Sequence, residues 1–246
     1  MAKKKILLLS DDLRMSSGVG TMSREFVLGT LKHYDWVQVG GAIKHPDEGK
    51  VIDMNESVRK DSGVEDAYLK IYPTSGYGNP DMIRQIIQVE GGVDAILHYT
   101  DPRFWGWLYQ MEHELRRTTP IFYYNIWDDL PYPRWNEPFY ESCDLIMNIS
   151  KQTVNIVDNV CQITPRTDWD NTYVPHGINE NNFYPIDSSH KEWGDLLKFK
   201  RNVTGNKDYK YIVFWNNRNI RRKLPGDVVM AYKQFCDQLP KEEAEK

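Results

Sequence analysis

Short apolar runs alternate with helix-like segments from the first residues onward, and this alternation constrains the fold more than any other feature of the chain. The runs expected as strands are Lys5 to Ser10, Trp36 to Ile43, Leu69 to Tyr72, Val93 to Tyr99, Ile121 to Ile126, Leu145 to Ile149 and Thr172 to Val174. Helices fall between most of them. The clearest starts at Asn79, a helix-capping residue followed by Pro80 in the first turn. It carries Met82, Ile83, Ile86 and Ile87 on one face and stops at Gly91. Val93 to Tyr99 is nearly all apolar, as a strand buried on both faces must be. This pattern predicts an α/β fold, a parallel Rossmann-like sheet wrapped by helices. The polar region 44–63 has no clear period and reads as a long loop.

The 246 residues suit one complete domain with a remainder, since domains usually run to roughly 100–200 residues. Past Pro185 a helix-like stretch around Trp193, Leu196 and Leu197 leads into the polar run Asn202 to Lys210. A new strand, Tyr211 to Trp215, then precedes a basic loop, a helix over Gly226 to Leu239 and a charged tail. The expected organisation is a Rossmann-like domain over 1–186, a linker over 187–206, and the opening strand–helix unit of a second Rossmann-like domain over 207–246. One strand and one helix cannot bury a core, so that second domain reads as incomplete.

A formal net charge of -4 with dispersed Lys and Arg gives no basic stripe of the kind that follows a phosphate backbone, so nucleic acid is not the expected partner. Cys143, Cys161 and Cys236 are far apart and make neither a CxxC pair nor a metal-ligand spacing. They read as free thiols in a reducing compartment, and no metal site is expected. The apolar run after Lys5 is too short for a signal peptide, and no stretch approaches the roughly 20 apolar residues of a membrane span. The expectation is a cytoplasmic protein, with peripheral membrane contact left open.

Three segments carry candidate chemistry. Ser10 to Gly20 joins the first strand to a helix, and Gly18, Val19 and Gly20 sit where glycine lets backbone amides approach a phosphate. The same residues also suit a ligand-free turn. The spacing does not fit a dinucleotide fingerprint, because Ser23 replaces the third Gly, and a P-loop is excluded by the missing Gly-Lys-Ser/Thr. Tyr173 to Pro185 is a strand followed by a Pro/Gly turn containing His176 and Gly177. Ile212 to Lys223 is a strand ending in a loop that carries Arg218 and Lys223.

In this order the three segments resemble the retaining glycosyltransferases built from two Rossmann-like domains (GT-B, glycosyltransferase group 1 or family 4-like). In that family a Gly-Gly-Val-Gly loop, a Pro-Asn/His-Gly-Val/Ile-Asp turn and a Gly-Arg-x-Lys-Gly loop occupy the corresponding places. Here they read Ser17-Gly18-Val19-Gly20, Pro175-His176-Gly177-Ile178-Asn179 and Asn217-Arg218 to Lys223. Ser17, Asn217 and Leu224 each replace a family glycine, and the family's histidine after the fifth strand falls on Trp127-Asp128. The paired glutamates that hold the donor sugar would lie beyond residue 246.

The resemblance implies transfer of a hexosyl group from a UDP- or GDP-linked sugar to a glycan or other acceptor hydroxyl, with no separate cofactor. Arg218 and Lys223 become the catalytic cations that stabilise the leaving diphosphate. Gly18, Val19 and Gly20 become its amide cradle, and His176 and Gly177 the hinge and cleft wall. Arg14, Asp101, Arg103, Trp127 and Asp128 follow the carboxyl ends of parallel strands and are the acceptor-site candidates, since carboxylates bind sugar hydroxyls and aromatic faces pack on sugar rings. Pro and aromatic residues also simply pack loops onto a sheet. The rival readings are a nucleotide-sugar epimerase of the same architecture and a degenerate, non-catalytic binding or scaffold subunit.

Overall fold

The computed structural model describes residues 2–42, 44, 46–161, 170–209 and 211–244, and it divides into two compact units, Met1–Asn179 and Glu180–Lys246. The first is built on an eight-stranded sheet in the order β3-β4-β2-β1-β5-β6-β7-β8. The strands are β1 Lys4–Asp11, β2 Tyr34–Gly41, β3 Ile52–Asp53, β4 Leu69–Pro73, β5 Ala95–Tyr99, β6 Ile121–Asn125, β7 Leu145–Asn148 and β8 Asp170–Tyr173. All pairings are parallel except the short β3–β4 ladder, where Ile52 faces Ile71. The expected Rossmann-like sheet is therefore present. Ile43, the last residue of the second expected strand, lies outside the described residues, as do Lys210 and residues 245–246 of the expected linker and tail.

Alternating side chains of each strand feed two separate cores, one on each face of the sheet. Leu7 and Leu9 of β1, Val37 and Val39 of β2 and Ile96 of β5 pack on one face with Ile83 and Ile86 of α3 (Pro80–Val89) and Ile156, Val157 and Val160 of α7 (Lys151–Val160). Leu8, Trp36, Leu69 and Leu97 point the other way, onto Val27 of α1 (Gly18–Thr30) and Val58 of α2 (Asn55–Ser62). The short helices α4 (Gly106–Gln110), α5 (Glu112–Leu115) and α6 (Glu137–Glu141) join the α3 face through Leu108, Tyr109, Leu115 and Tyr140. Asn79 caps α3 as its residue type demands, its side chain accepting from the Met82 amide at 3.0 Å. Cys143 and Cys161 are buried, and Cys143, Cys161 and Cys236 form no disulfide.

Two expectations are corrected. The region 44–63 is not a loop throughout, because it contains β3 and α2. Helix α2 buries only Val58, so its sequence shows no apolar stripe, and it is held instead by an Asn55 side chain that accepts from the Leu69 amide and by a left-handed Gly63 at its end. In the second unit Tyr211 to Trp215 forms no strand, because no strand among the described residues pairs with the segment. That unit is helical among its described residues: α8 Trp193–Thr204, a 3₁₀ turn at Arg221–Lys223, α9 Pro225–Asp237 and α10 Lys241–Ala244. The expected last helix is thus α9. None of the described helices is long and apolar enough to cross a membrane.

Candidate functional site

In the first unit the chain leaves β1 toward β2 on one side and later returns to β5 on the other, so the sheet's switch point lies between β1 and β5. Open α/β sheets bind ligands in the crevice outside the carboxyl ends of the strands at this point. Asp11 ends β1 opposite Gly41 of β2. A side chain at Gly41 would meet the Gly76 carbonyl at 2.5 Å and the Tyr77 ring at 3.4 Å. The missing Cβ therefore lets the 74–78 loop fold over the end of β2, where the Ala42 amide donates to Gly76 at 2.7 Å, and this carries Tyr77 to the crevice.

Asp12 is fully buried and accepts from the Arg14 amide, from Nε at 3.0 Å and from Nη2 at 2.8 Å. Arg14 also lies 3.6 Å from Asp47. The guanidinium expected at the acceptor is thus held by two carboxylates, and its pKa rises, chiefly through the bond to Asp12.

Gly18, Val19 and Gly20 form the first turn of α1 rather than a loop before it. Ser17 caps the helix, taking the Gly20 amide on its hydroxyl at 3.0 Å and the Thr21 amide on its carbonyl at 2.8 Å. Helix geometry gives the Gly18 and Val19 amides no acceptor within the helix. The Ser17 hydroxyl also donates to the Asp11 carboxylate at 3.0 Å. Burial raises the Asp11 pKa, only partly offset by that hydroxyl.

Beyond β5, Asp101 caps a 3₁₀ turn, Pro102–Trp105, by accepting from the Arg103 amide at 3.0 Å. The Arg103 guanidinium closes back on the same carboxylate, with Nε at 2.9 Å, and lies 5.2 Å from the Trp127 ring centroid. Burial opposes ionisation of Asp101, but the guanidinium and amide of Arg103 outweigh it and hold its pKa below the usual range. Trp127 donates its indole N–H to the Asp129 carbonyl and meets Trp135 edge-on at 6.2 Å. Three acceptor-site candidates, Asp101, Arg103 and Trp127, are therefore brought together. Asp128 is exposed, and its carbonyl accepts from Gln152.

His176 follows β8 and reaches the end of β5, with Nε2 3.3 Å from Tyr99 Oη and the ring against Tyr99 and Tyr124 at 6.0 and 5.4 Å. Its pKa is lowered by burial, while burial pushes Tyr124 up to about 12. Gly177 is open, with no atom within 4 Å of the position a Cβ would take. Arg218 and Lys223 belong to the second unit. Arg218 is exposed, its amide donating to the Asn217 side chain at 3.0 Å, and Lys223 ends the 3₁₀ turn.

Sequence reasoning missed Asp11, Tyr77 and Phe104. Phe104 stacks on Tyr77 with centroids 4.8 Å apart and planes within 3°, and it is 53% exposed. The signal available was its place beside Thr100-Asp-Pro-Arg103. His98 was missed too, hidden in an apolar strand. It is fully buried, with Nδ1 2.6 Å from Tyr109 Oη and its ring stacked on Tyr123 at 5.0 Å.

These features define a Rossmann-like α/β protein with a polar, aromatic-lined switch-point crevice. No family model and no curated protein matches the chain. Among solved structures it is similar to Anabaena Alr3699/HepE in complex with UDP and glucose, at 9% identity and a TM-score of 0.53, over 96% of this chain and 59% of that one. It also aligns with Medicago truncatula UGT71G1 complexed with UDP-glucose, at 8% identity and a TM-score of 0.41, over 82% of this chain and 57% of that one. The likeness to the Anabaena structure is one of fold, the GT-B type, and the chain spans about 59% of that structure's length.

Proposed function

We propose that the protein serves glycosyl transfer, moving a hexosyl group from a UDP- or GDP-linked donor to an acceptor hydroxyl. The observation that supports this reading best is the coincidence of a β1/β5 switch-point crevice holding Asp101, Arg103 and Trp127 with a fold like that of a protein holding UDP and glucose. Negative charge grows on the diphosphate as the glycosidic bond breaks. Arg218 and Lys223 stabilise that charge, so the reaction proceeds without a divalent metal. The departing phosphate oxygen takes the acceptor proton on the same face, so configuration is retained.

Residues from 207 onward belong, on this reading, to a nucleotide-sugar-binding domain. The apolar side chains exposed over Tyr211 to Trp215 support it, with Phe214 82% exposed where a paired strand would bury it. The test is to supply the gene's full product with UDP-glucose and with GDP-mannose and to follow released nucleoside diphosphate and the anomeric configuration of the product. Release that depends on an acceptor, with retention, is expected. No release from either donor would remove the transferase reading, and inversion would remove the retaining step.

A further inference from the structure

We propose that Phe104, backed by Tyr77 and flanked by the Asp101–Arg103 pair, is a binding shelf for a sugar ring, so that the acceptor of the proposed reaction is itself a saccharide. This rests on the glycosyl-transfer reading and names its acceptor class.

The shelf is built rather than incidental. One face of Phe104 is covered by Tyr77, while the residue as a whole remains 53% exposed at the end of β5. Tyr77 is fixed in turn. Its carbonyl accepts from the Trp107 indole at 3.2 Å, its ring meets Trp105 edge-on at 5.5 Å, and its loop is seated on Gly41. An exposed aromatic ring braced on one face by a fixed neighbour presents its other face to solvent, and that apolar face matches the C–H face of a pyranose. The same 3₁₀ turn supplies Asp101 and Arg103. The Asp101 side chain is 22% exposed and Arg103 55% exposed, so both reach solvent beside the ring. An ionised carboxylate and a guanidinium at the rim of an aromatic face offer the acceptors and donors that ring hydroxyls need.

Charge decides against a membrane surface as the occupant. The exposed apolar residues nearby, Leu130, Tyr132 and Trp135, share their loop with Asp128 and Asp129. Its cation Arg134 donates to the Val160 carbonyl at 3.0 Å, and the charge of Arg103 is balanced by that of Asp101. Anionic headgroups would meet carboxylates here, and a lipid chain would have to desolvate them.

The experiment is saturation-transfer NMR on the 246-residue chain with methyl β-glucoside, cellobiose and maltose, with pelleting against phosphatidylcholine and phosphatidylglycerol vesicles as a second arm. At least one saccharide is expected to bind. Phe104→Ala should weaken it roughly three- to tenfold, as loss of one stacking contact does. Phe104→Tyr should retain it, Asp101→Asn should weaken it, and the two Phe104 variants should keep the wild-type melting temperature. Absence of saccharide binding, binding indifferent to Phe104→Ala, or vesicle binding abolished by Phe104→Ala would each overturn the shelf. Donor turnover by the gene's full product separates the two readings: saccharide binding without turnover sinks only the transferase, and turnover without shelf binding sinks only the shelf.

Discussion

Ser17 Oγ donates to the Asp11 carboxylate 3.0 Å away while it accepts from the Gly20 amide, so the cap of α1 is tied to the end of β1. The Asp11 carboxylate is thus held at the N-terminal cap of α1 through Ser17. Burial raises the Asp11 pKa from its ordinary value, so the unfolded chain ionises first and the native state holds the proton longer. The stability this contributes is full below the unfolded pKa and is lost as pH rises through the native one. Asp11→Asn removes that dependence. Denaturant midpoints measured from pH 4 to 8 should show the variant gaining on the wild type as pH rises, and a constant difference would contradict the burial account.

The two glycines of the same turn separate by packing. A Cβ on Gly20 would lie 2.8 Å from the Met15 carbonyl and 2.9 Å from that of Asp12, whereas one on Gly18 would meet nothing within 4 Å. Gly20→Val should cost at least about 2 kcal/mol through overpacking. Gly18→Val should leave the melting temperature within a few degrees of wild type, and in the full product it should still lower donor turnover. If Gly18→Val retains full turnover, the first turn of α1 is only a structural turn.

Most of the first unit was legible because its strands are apolar runs of the right length and its clearest helix carries a strong cap and a strong stripe. The failures have physical causes. Helix α2 buries a single side chain and is stabilised by contacts to β4, which no local period reveals. Tyr211 to Trp215 has the composition of a strand, but composition cannot supply the partner that a ladder requires. At the site, Asp101, Arg103 and Trp127 were readable because they follow strand ends. Tyr77 was not, since its place depends on how the 74–78 loop folds over Gly41.

Arg14 tests whether a site candidate is a binding group or a clamp. Its guanidinium pairs with the fully buried Asp12 through Nε and Nη2, and removing it takes both contacts from that carboxylate. Arg14→Ala should therefore lower stability by about 3 kcal/mol. Arg14→Lys should recover only part of this, because an ammonium cannot make the paired Nε and Nη2 contacts. Urea denaturation measures both. An unchanged midpoint in Arg14→Ala would return Arg14 to a purely acceptor-facing role.

His98 should remain neutral in the folded protein well into acid, since burial lowers its pKa from 6.5 to about 3. The unfolded chain takes up this proton first, so the contribution is fully present above pH 6.5 and is lost as pH falls toward 3, with a limiting slope of about 1.4 kcal/mol per pH unit. His98→Gln lacks that slope. Unfolding free energies between pH 7 and 4.5 should fall faster for the wild type, and parallel curves would show that the imidazole protonates in place.

Arg218 and Lys223 give the sharpest contrast between stability and chemistry. Arg218 is exposed and Lys223 only half-buried, and both follow a segment that forms no ladder, so neither has a packed position to lose. In the 246-residue chain Arg218→Ala and Lys223→Ala should leave the melting temperature unchanged, and UDP-glucose should raise it little in any of the three proteins. Charge stabilises a leaving diphosphate only when it is held in place before the bond breaks, because otherwise its ordering must be done at the transition state. In the gene's full product the same substitutions should each lower turnover by roughly 10²–10³-fold, the loss typical of one preorganised donor, with little change in acceptor KM. Turnover by the 246-residue chain at the full product's rate would show that Arg218 and Lys223 need no further structure to act. Unchanged turnover in both variants of the full product would take the phosphate role from them altogether.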